Sequence, residues 1–237
     1  MKIETALVTG AGRGYGLELC RLLSARGARV MGTVRTADGA AALRASCGEA
    51  VAPVVLDVTD AGAGAAIAEA LATLDRPLDL LVNNAGVMTS GARIEEVRIA
   101  DVDHLLRIHV LGPIACTQAA LPWLRRASQG TVVNVTSRLG SIARIAAGEY
   151  DHLRISYAMR ISKAAQNMLT ACLHRELMAE GIAVYAVHPG RLQTRMGSAD
   201  ADVDAAEAAM RLLIWLDHHR SERLVAYIEP DRDELPW

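Results

Sequence analysis

Phenylalanine is absent from the 237-residue chain, and lysine is nearly so: of 25 basic residues only Lys2 and Lys163 are lysines. Arginine therefore supplies almost all generic positive charge, and a lysine here is a specific choice rather than surface filler. No run of five like charges occurs, and the formal net charge is −2 with a pI of about 6.4. These absences exclude the electrostatic footprint of a nucleic-acid binder and a polybasic membrane patch, and point to a small-molecule substrate. The cysteines Cys20, Cys47, Cys116 and Cys172 lie far apart with no C-x-x-C pair, which suits reduced thiols better than a disulfide framework. No apolar run approaches the ~18 residues that a membrane span needs. The chain enters Ile3-Glu4-Thr5-Ala6-Leu7-Val8 without a charged-then-apolar leader. The expectation is a soluble, unsecreted, cytoplasmic protein with no nucleic-acid partner, no membrane partner and no metal.

What is present is apolar material: 51% of residues are hydrophobic and the mean hydropathy is +0.19, enough for a sizeable core. Short β-branched runs at about 3–9, 28–34, 51–57, 78–83, 130–136, 182–187 and 223–228 alternate with Ala/Leu-rich stretches. Those stretches, at about 14–26, 37–46, 60–74, 96–126, 156–180 and 202–218, carry apolar residues at spacings of three and four. The rhythm predicts an α/β fold: a single doubly wound domain over 1–237, about seven parallel strands with helices on both faces. An interruption of the long helix is expected near Gly112-Pro113. The segment at about 141–155 shows no clear period, and a loop of that length reads as a lid.

After the first strand comes Thr9-Gly10-Ala11-Gly12-Arg13-Gly14-Tyr15-Gly16, followed by the helical run Leu17–Leu23. Glycines let the backbone turn sharply and approach a pyrophosphate, whose charge then sits among the free N–H groups of a helix N-terminus. The spacing is G-x-x-x-G-x-G rather than G-x-G-x-x-G. The second strand ends in Gly32-Thr33-Val34-Arg35, with arginine where an NAD enzyme places the acid that holds the ribose 2′-hydroxyl, and Arg13 adds a second charge beside the glycines. A 2′-phosphate, hence NADP(H), is the expected guest.

The third strand closes with Leu56-Asp57-Val58-Thr59 and the fourth with Val82-Asn83-Asn84-Ala85-Gly86; later come Ser137, Lys163 and Pro189-Gly190 followed by Thr194. In this order the motifs resemble the short-chain dehydrogenase/reductase family over nearly the whole chain. Arg138-Leu139-Gly140-Ser141-Ile142 and the terminal Glu234-Leu235-Pro236-Trp237 are similar to its small carbonyl-reductase or C-factor branch. The resemblance implies that Gly10, Arg13, Gly14, Tyr15, Gly16 and Arg35 hold the phosphates, that Asp57 and Val58 border the adenine, and that Asn83, Ala85 and Gly86 support the central strands and cofactor. It also implies that Pro189, Gly190 and Thr194 lie near the nicotinamide and Lys163 at its ribose. Assembly as a homodimer or homotetramer through the helices at about 96–126 and 156–180 is implied as well.

In that family an Asn, a Ser, a Tyr and a Lys form the active site. The serine maps to Ser137 and the lysine to Lys163; the tyrosine position, four before the lysine, is Met159, and the asparagine position is His109. Residues four apart share a helix face, so position 159 points with Lys163, whereas Tyr157 lies about 200° round from Met159 at ~100° per residue. Tyr157 replaces the lost hydroxyl only if the helix start is irregular; His109, or Tyr150, Asp151 and His152 on the preceding loop, are the other candidates. Three readings follow. The first is an NADP(H)-dependent oxidoreductase acting on a small carbonyl- or imine-containing substrate, with a non-standard proton donor or a substrate such as an iminium that needs none. The second is a non-redox cyclase, isomerase or dehydratase using the nucleotide as scaffold. The third is a catalytically silent nucleotide-binding protein.

Overall fold

A computed structural model describes residues 2–193, 201, 203–220, 222, 226–230 and 234–237. In chain order the elements are β1 (Thr5–Val8), α1 (Gly14–Ala25), β2 (Arg29–Val34), α2 (Ala37–Cys47), β3 (Val51–Val55), α3 (Ala63–Ala72), β4 (Leu80–Asn83) and α4 (Ile99–Leu106). There follow α5 (Gly112–Leu124), β5 (Thr131–Val135), α6 (Ile142–Ala146), α7 (Tyr157–Leu177), β6 (Ala183–Val187), α8 (Ala205–His219) and β7 (Ala226–Ile228). The strands form one seven-stranded parallel sheet in the order β3-β2-β1-β4-β5-β6-β7.

Alternation along each strand divides the core in two. Ala6 and Val8 of β1 face the cluster shared with α1, α2 and α8, including Leu19, Leu43 and Leu212, while Leu7 between them faces Ile67, Leu71, Ala120 and Leu124 of α3 and α5. Both faces of the sheet are therefore covered, as parallel strands require. The strand order reverses between β1 and β4, which opens a crevice at the carboxyl ends of the strands. All four cysteines are free thiols. Among the described residues no helix is long and apolar enough to cross a membrane.

The long helix is interrupted near Gly112-Pro113, though not ended there: it is wound as a π-turn over Arg107–Leu111 and resumes as α5. Pro113 has no N–H to give the His109 carbonyl four residues back, and the offset ladder accommodates that missing donor. The segment at about 141–155 is not featureless: Ser141 Oγ accepts from the Arg144 N–H and caps the short α6. Residues 223–225 of the expected last strand lie outside the described residues.

Buried polar groups tie α7 to the sheet. Asn83 Nδ2 donates to Asn134 Oδ1 at 2.8 Å, Asn134 Nδ2 to Thr170 Oγ1 at 2.9 Å, and Thr170 Oγ1 to the Gln166 carbonyl at 2.9 Å. Thr136 Oγ1 donates to Asn167 Oδ1 at 2.6 Å. Buried polar groups that are paired in this way specify one position of a helix on its sheet. Gly140 closes the arrangement from outside, since a Cβ there would stand 2.7 Å from the Lys163 carbonyl carbon.

Candidate active site

A cleft of about 810 Å³ runs along the carboxyl ends of β1, β2, β4, β5 and β6. Its first half is made mostly of backbone. Thr9 Oγ1 accepts from the Asn84 and Ala85 N–H groups at 2.9 and 3.0 Å, and Asn84 Nδ2 donates to the Thr9 carbonyl at 2.8 Å, clamping the glycine loop to the end of β4. Gly10 N donates to Thr33 Oγ1 at 3.1 Å. Within this clamp Gly10 and Gly14 hold φ of +69° and +55°, values that disfavour a side chain. A Cβ on Gly16 would strike Asn84 Nδ2 and stand 2.5 Å from the Gly10 carbonyl oxygen. At the start of α1, Arg13 is extended, no side chain caps the helix and no acid occupies its first turn. Its first N–H groups are left for an anion.

Arg13 and Arg35, both exposed, line the cleft with Gly10, Gly14, Tyr15 and Gly16. Asp57 and Val58 line it on the β3 side. Burial opposes the charge on Asp57, but hydrogen bonds from Thr59 N and Thr59 Oγ1 at 2.9 and 2.8 Å to Oδ1, with Arg35 and His104 nearby, outweigh it and hold the carboxyl below its ordinary range. Ala85 and Gly86 face it from beyond β4, and Pro189 and Gly190 from beyond β6.

The second half is made of side chains. Ser137, Met159, Lys163 and His109 all line it. Ser137 Oγ accepts from the Leu139 N–H at 3.3 Å, and its own hydroxyl proton remains available to a ligand. The Ser137 carbonyl is held at 2.6 Å by the hydroxyl of Tyr227, which reaches in from β7. Lys163 is 5% exposed; its Nζ donates to the Val135 carbonyl and to Gln166 Oε1, each at 2.7 Å. Burial with no carboxylate beside it lowers the ammonium to about 7. Met159, one turn earlier on the same face, brings a thioether into the same half of the cleft.

His109 comes in from the π-turn and is 1% exposed. Its Nδ1 lies 2.9 Å from Ser162 Oγ, which donates to the Met159 carbonyl at 3.2 Å. With that hydroxyl proton spent, the network assigns the histidine proton to Nδ1 and leaves Nε2, beside Gly86, as an acceptor. Burial first, then the charges of Lys163 and His104, lowers the ring to about 2, so it is a neutral acceptor across the working range.

Two expected residues stand apart from the cleft. Tyr157 is 38% exposed and does not line the cleft, because the helix is regular from its first turn and two residues of helical twist carry Tyr157 away from Met159. Asn83 is buried between β4 and β5, since its register partner is Asn134; its neighbour Asn84, past the strand end, lines the cleft instead. Thr194 lies outside the described residues. Tyr150, Asp151 and His152 are not in the lining either; the Tyr150 hydroxyl accepts from Arg144 at 3.1 Å. Sequence reasoning passed over Asn84 and Gln166. The signal for Gln166 was its place three residues after Lys163, on the same helix face.

Against this geometry, the short chain dehydrogenase model matches residues 4–204. C-signal of Myxococcus xanthus is 36% identical over 161 residues, 68% of this chain and 93% of that protein. The bovine (Bos taurus) 17-beta-hydroxysteroid dehydrogenase type 6 is 36% identical over 191 residues, 80% of this chain but only 57% of that longer protein. The NADPH-bound carbonyl reductase from chicken fatty liver superposes over 100% of both chains with a TM-score of 0.90 at 30% identity. The chain belongs to the short-chain dehydrogenase/reductase family, a family of oxidoreductases.

Proposed function

We propose that this protein is an NADP(H)-dependent oxidoreductase that acts on a small carbonyl- or imine-bearing substrate with a proton donor other than the family tyrosine. The observation that carries the reading is the pairing, in one cleft, of two exposed arginines beside a side-chain-free glycine cradle with Ser137 and Lys163 at the far end. The residues fit the cofactor. Gly10, Gly14, Gly16 and the free N–H groups of α1 suit a pyrophosphate, Arg13 and Arg35 a 2′-phosphate, and Asp57 and Val58 an adenine. The NADPH in the chicken carbonyl reductase supports the same assignment. When bound, NADPH supplies a hydride. Ser137 then donates a hydrogen bond to the substrate oxygen, and the apolar Met159 and Val135 walls exclude water from the reacting carbon.

The test is fluorescence titration with NADPH and NADH, followed by NADPH consumption over a panel of quinones, aldehydes and cyclic imines. Tight NADPH binding with oxidation of at least one class is expected; no nucleotide binding would overturn the reading. A second reading, favoured by Met159 alone, keeps the nucleotide as scaffold for a non-redox isomerisation or dehydration. Deuterium transfer from labelled NADPH to product would exclude it. We also propose a homodimer or homotetramer built through the helices at about 96–126 and 156–180, on which Leu111, Ile161 and Met168 are exposed and apolar; a monomeric solution mass would contradict this.

A further inference from the structure

The proposed reductase leaves one step without an agent. The hydride makes a substrate oxygen or nitrogen basic, and the phenol that the family uses to protonate it is a thioether here. His109 is held as an acceptor by Ser162, and among the described residues no phenol or carboxylate lines that half of the cleft. Lys163 does line it. Its Nζ carries three protons as an ammonium, of which two are committed to the Val135 carbonyl and Gln166 Oε1.

We infer that Lys163 is itself the proton donor, with Gln166 as the residue that positions it. The inference rests on the reductase reading above. As hydride reaches the carbonyl or imine carbon, the carbon–oxygen or carbon–nitrogen π pair moves onto the heteroatom. The third N–H bond of the Lys163 ammonium breaks and an O–H or N–H bond forms. The neutral amine keeps two N–H groups, enough to satisfy Val135 and Gln166 unchanged, so the two buried acceptors are paired before and after transfer. The released alcohol or amine carries the proton away, and solvent re-protonates the lysine.

Burial without a carboxylate brings the ammonium to about 7, near the value at which an acid is both protonated and willing to give its proton up. Among the described residues, the titratable groups that line the cleft with it in that half are His109 from the π-turn and His188 from the end of β6; Tyr227 reaches the Ser137 carbonyl and stays protonated. Because the acid form is the protonated one, reduction is fastest below the Lys163 midpoint and falls about tenfold per pH unit above it.

With only two lysines in the chain, lysine labelled at the ε-carbon gives two resonances, and Lys163→Arg assigns the buried one. The expected result in the NADP⁺-bound protein is a Lys163 midpoint well below the ordinary lysine value and coincident with the descending limb of kcat for an ortho-quinone. A permanently charged N-alkyl iminium needs no proton, so its reduction shows no such limb. Gln166→Glu sets a negative charge 2.7 Å from Nζ in place of a neutral acceptor and moves the resonance midpoint and the kinetic limb up together by a unit or more. Lys163→Arg keeps the charge but not the labile proton and lowers quinone kcat by about 10²–10⁴-fold. If that variant does not fold, the Gln166→Glu comparison alone decides. A limb that stays put while the resonance moves, or that also appears with the iminium, overturns the inference and leaves the reductase reading standing. Absence of NADPH binding overturns the reading itself and the inference with it.

Discussion

The glycine end of the cleft works through what is missing from side chains, and the lysine end through what is placed on them. At Gly10, Gly14 and Gly16 the backbone turns through positive φ or passes so close to Asn84 and Ala85 that a methyl group has nowhere to go. At Ser137, Met159 and Lys163 the backbone is ordinary strand end and helix, and chemistry depends on one atom at the tip of each side chain. The first kind of site tolerates almost no substitution and depends little on which residues surround it. The second can change its chemistry by exchanging one side chain and keep its shape.

Four measurements sharpen this contrast, taken from the largest expected effect downward. Met159→Tyr restores a phenol one turn before Lys163; at about pH 9, where the lysine has given up its proton, quinone reduction should rise ~10²–10⁴-fold with NADPH affinity unchanged. No gain at alkaline pH would mean that the phenol does not reach the substrate. Gly16→Ala drives a Cβ into Asn84 and the Gly10 carbonyl. Overpacking of this sort costs about 1–3 kcal/mol, and because the strain falls on the cradle, NADPH affinity should drop by roughly 10–100-fold, read by titration, with a lowered Tm.

Arg35→Ala removes a charge from the phosphate end while leaving the glycines intact. The preference for NADPH over NADH should fall by roughly 10-fold or more, in line with about 1.5–3 kcal/mol for a hydrogen bond to a charged group. An unchanged ratio would assign the discrimination to Arg13 alone. Gly12→Ala is the control: its Cβ would meet only Val34 Cγ1 at 3.5 Å, an ordinary contact, and its φ is not positive. Affinity and Tm should move by no more than a few tenths of a kcal/mol, as for substitutions away from strained or packed features. A Gly12→Ala defect as large as that of Gly16→Ala would show that the loop senses added bulk anywhere along it.

The two ends also differed in how far they could be read in advance. Period-two and period-3.6 patterns set the strands and helices, and the order of glycines, Arg35, Asp57 and Ser137 along the chain already matched one family, because each motif is local. Parity within a strand end was harder. Asn83 and Asn84 are adjacent and chemically identical, and only the pairing of Asn83 with Asn134 shows which one turns into the sheet and which faces the cleft. The irregular winding over Arg107–Leu111 was foreseen only as an interruption near Pro113, since a missing donor announces a disturbance but not its form.

By itself, then, the chain's order of residues determined a doubly wound parallel sheet, a glycine cradle and a methionine four residues before Lys163, because these follow from spacing, backbone freedom and the identity of single residues. Tertiary structure alone decided that His109 presents a lone pair, that α7 starts regularly and so keeps Tyr157 turned away, and that Lys163 is buried between Val135 and Gln166. Those properties come from which groups meet across β4, β5 and α7. A proton's position and a lysine's acidity are set by those neighbours in space, which no local pattern in the chain encodes.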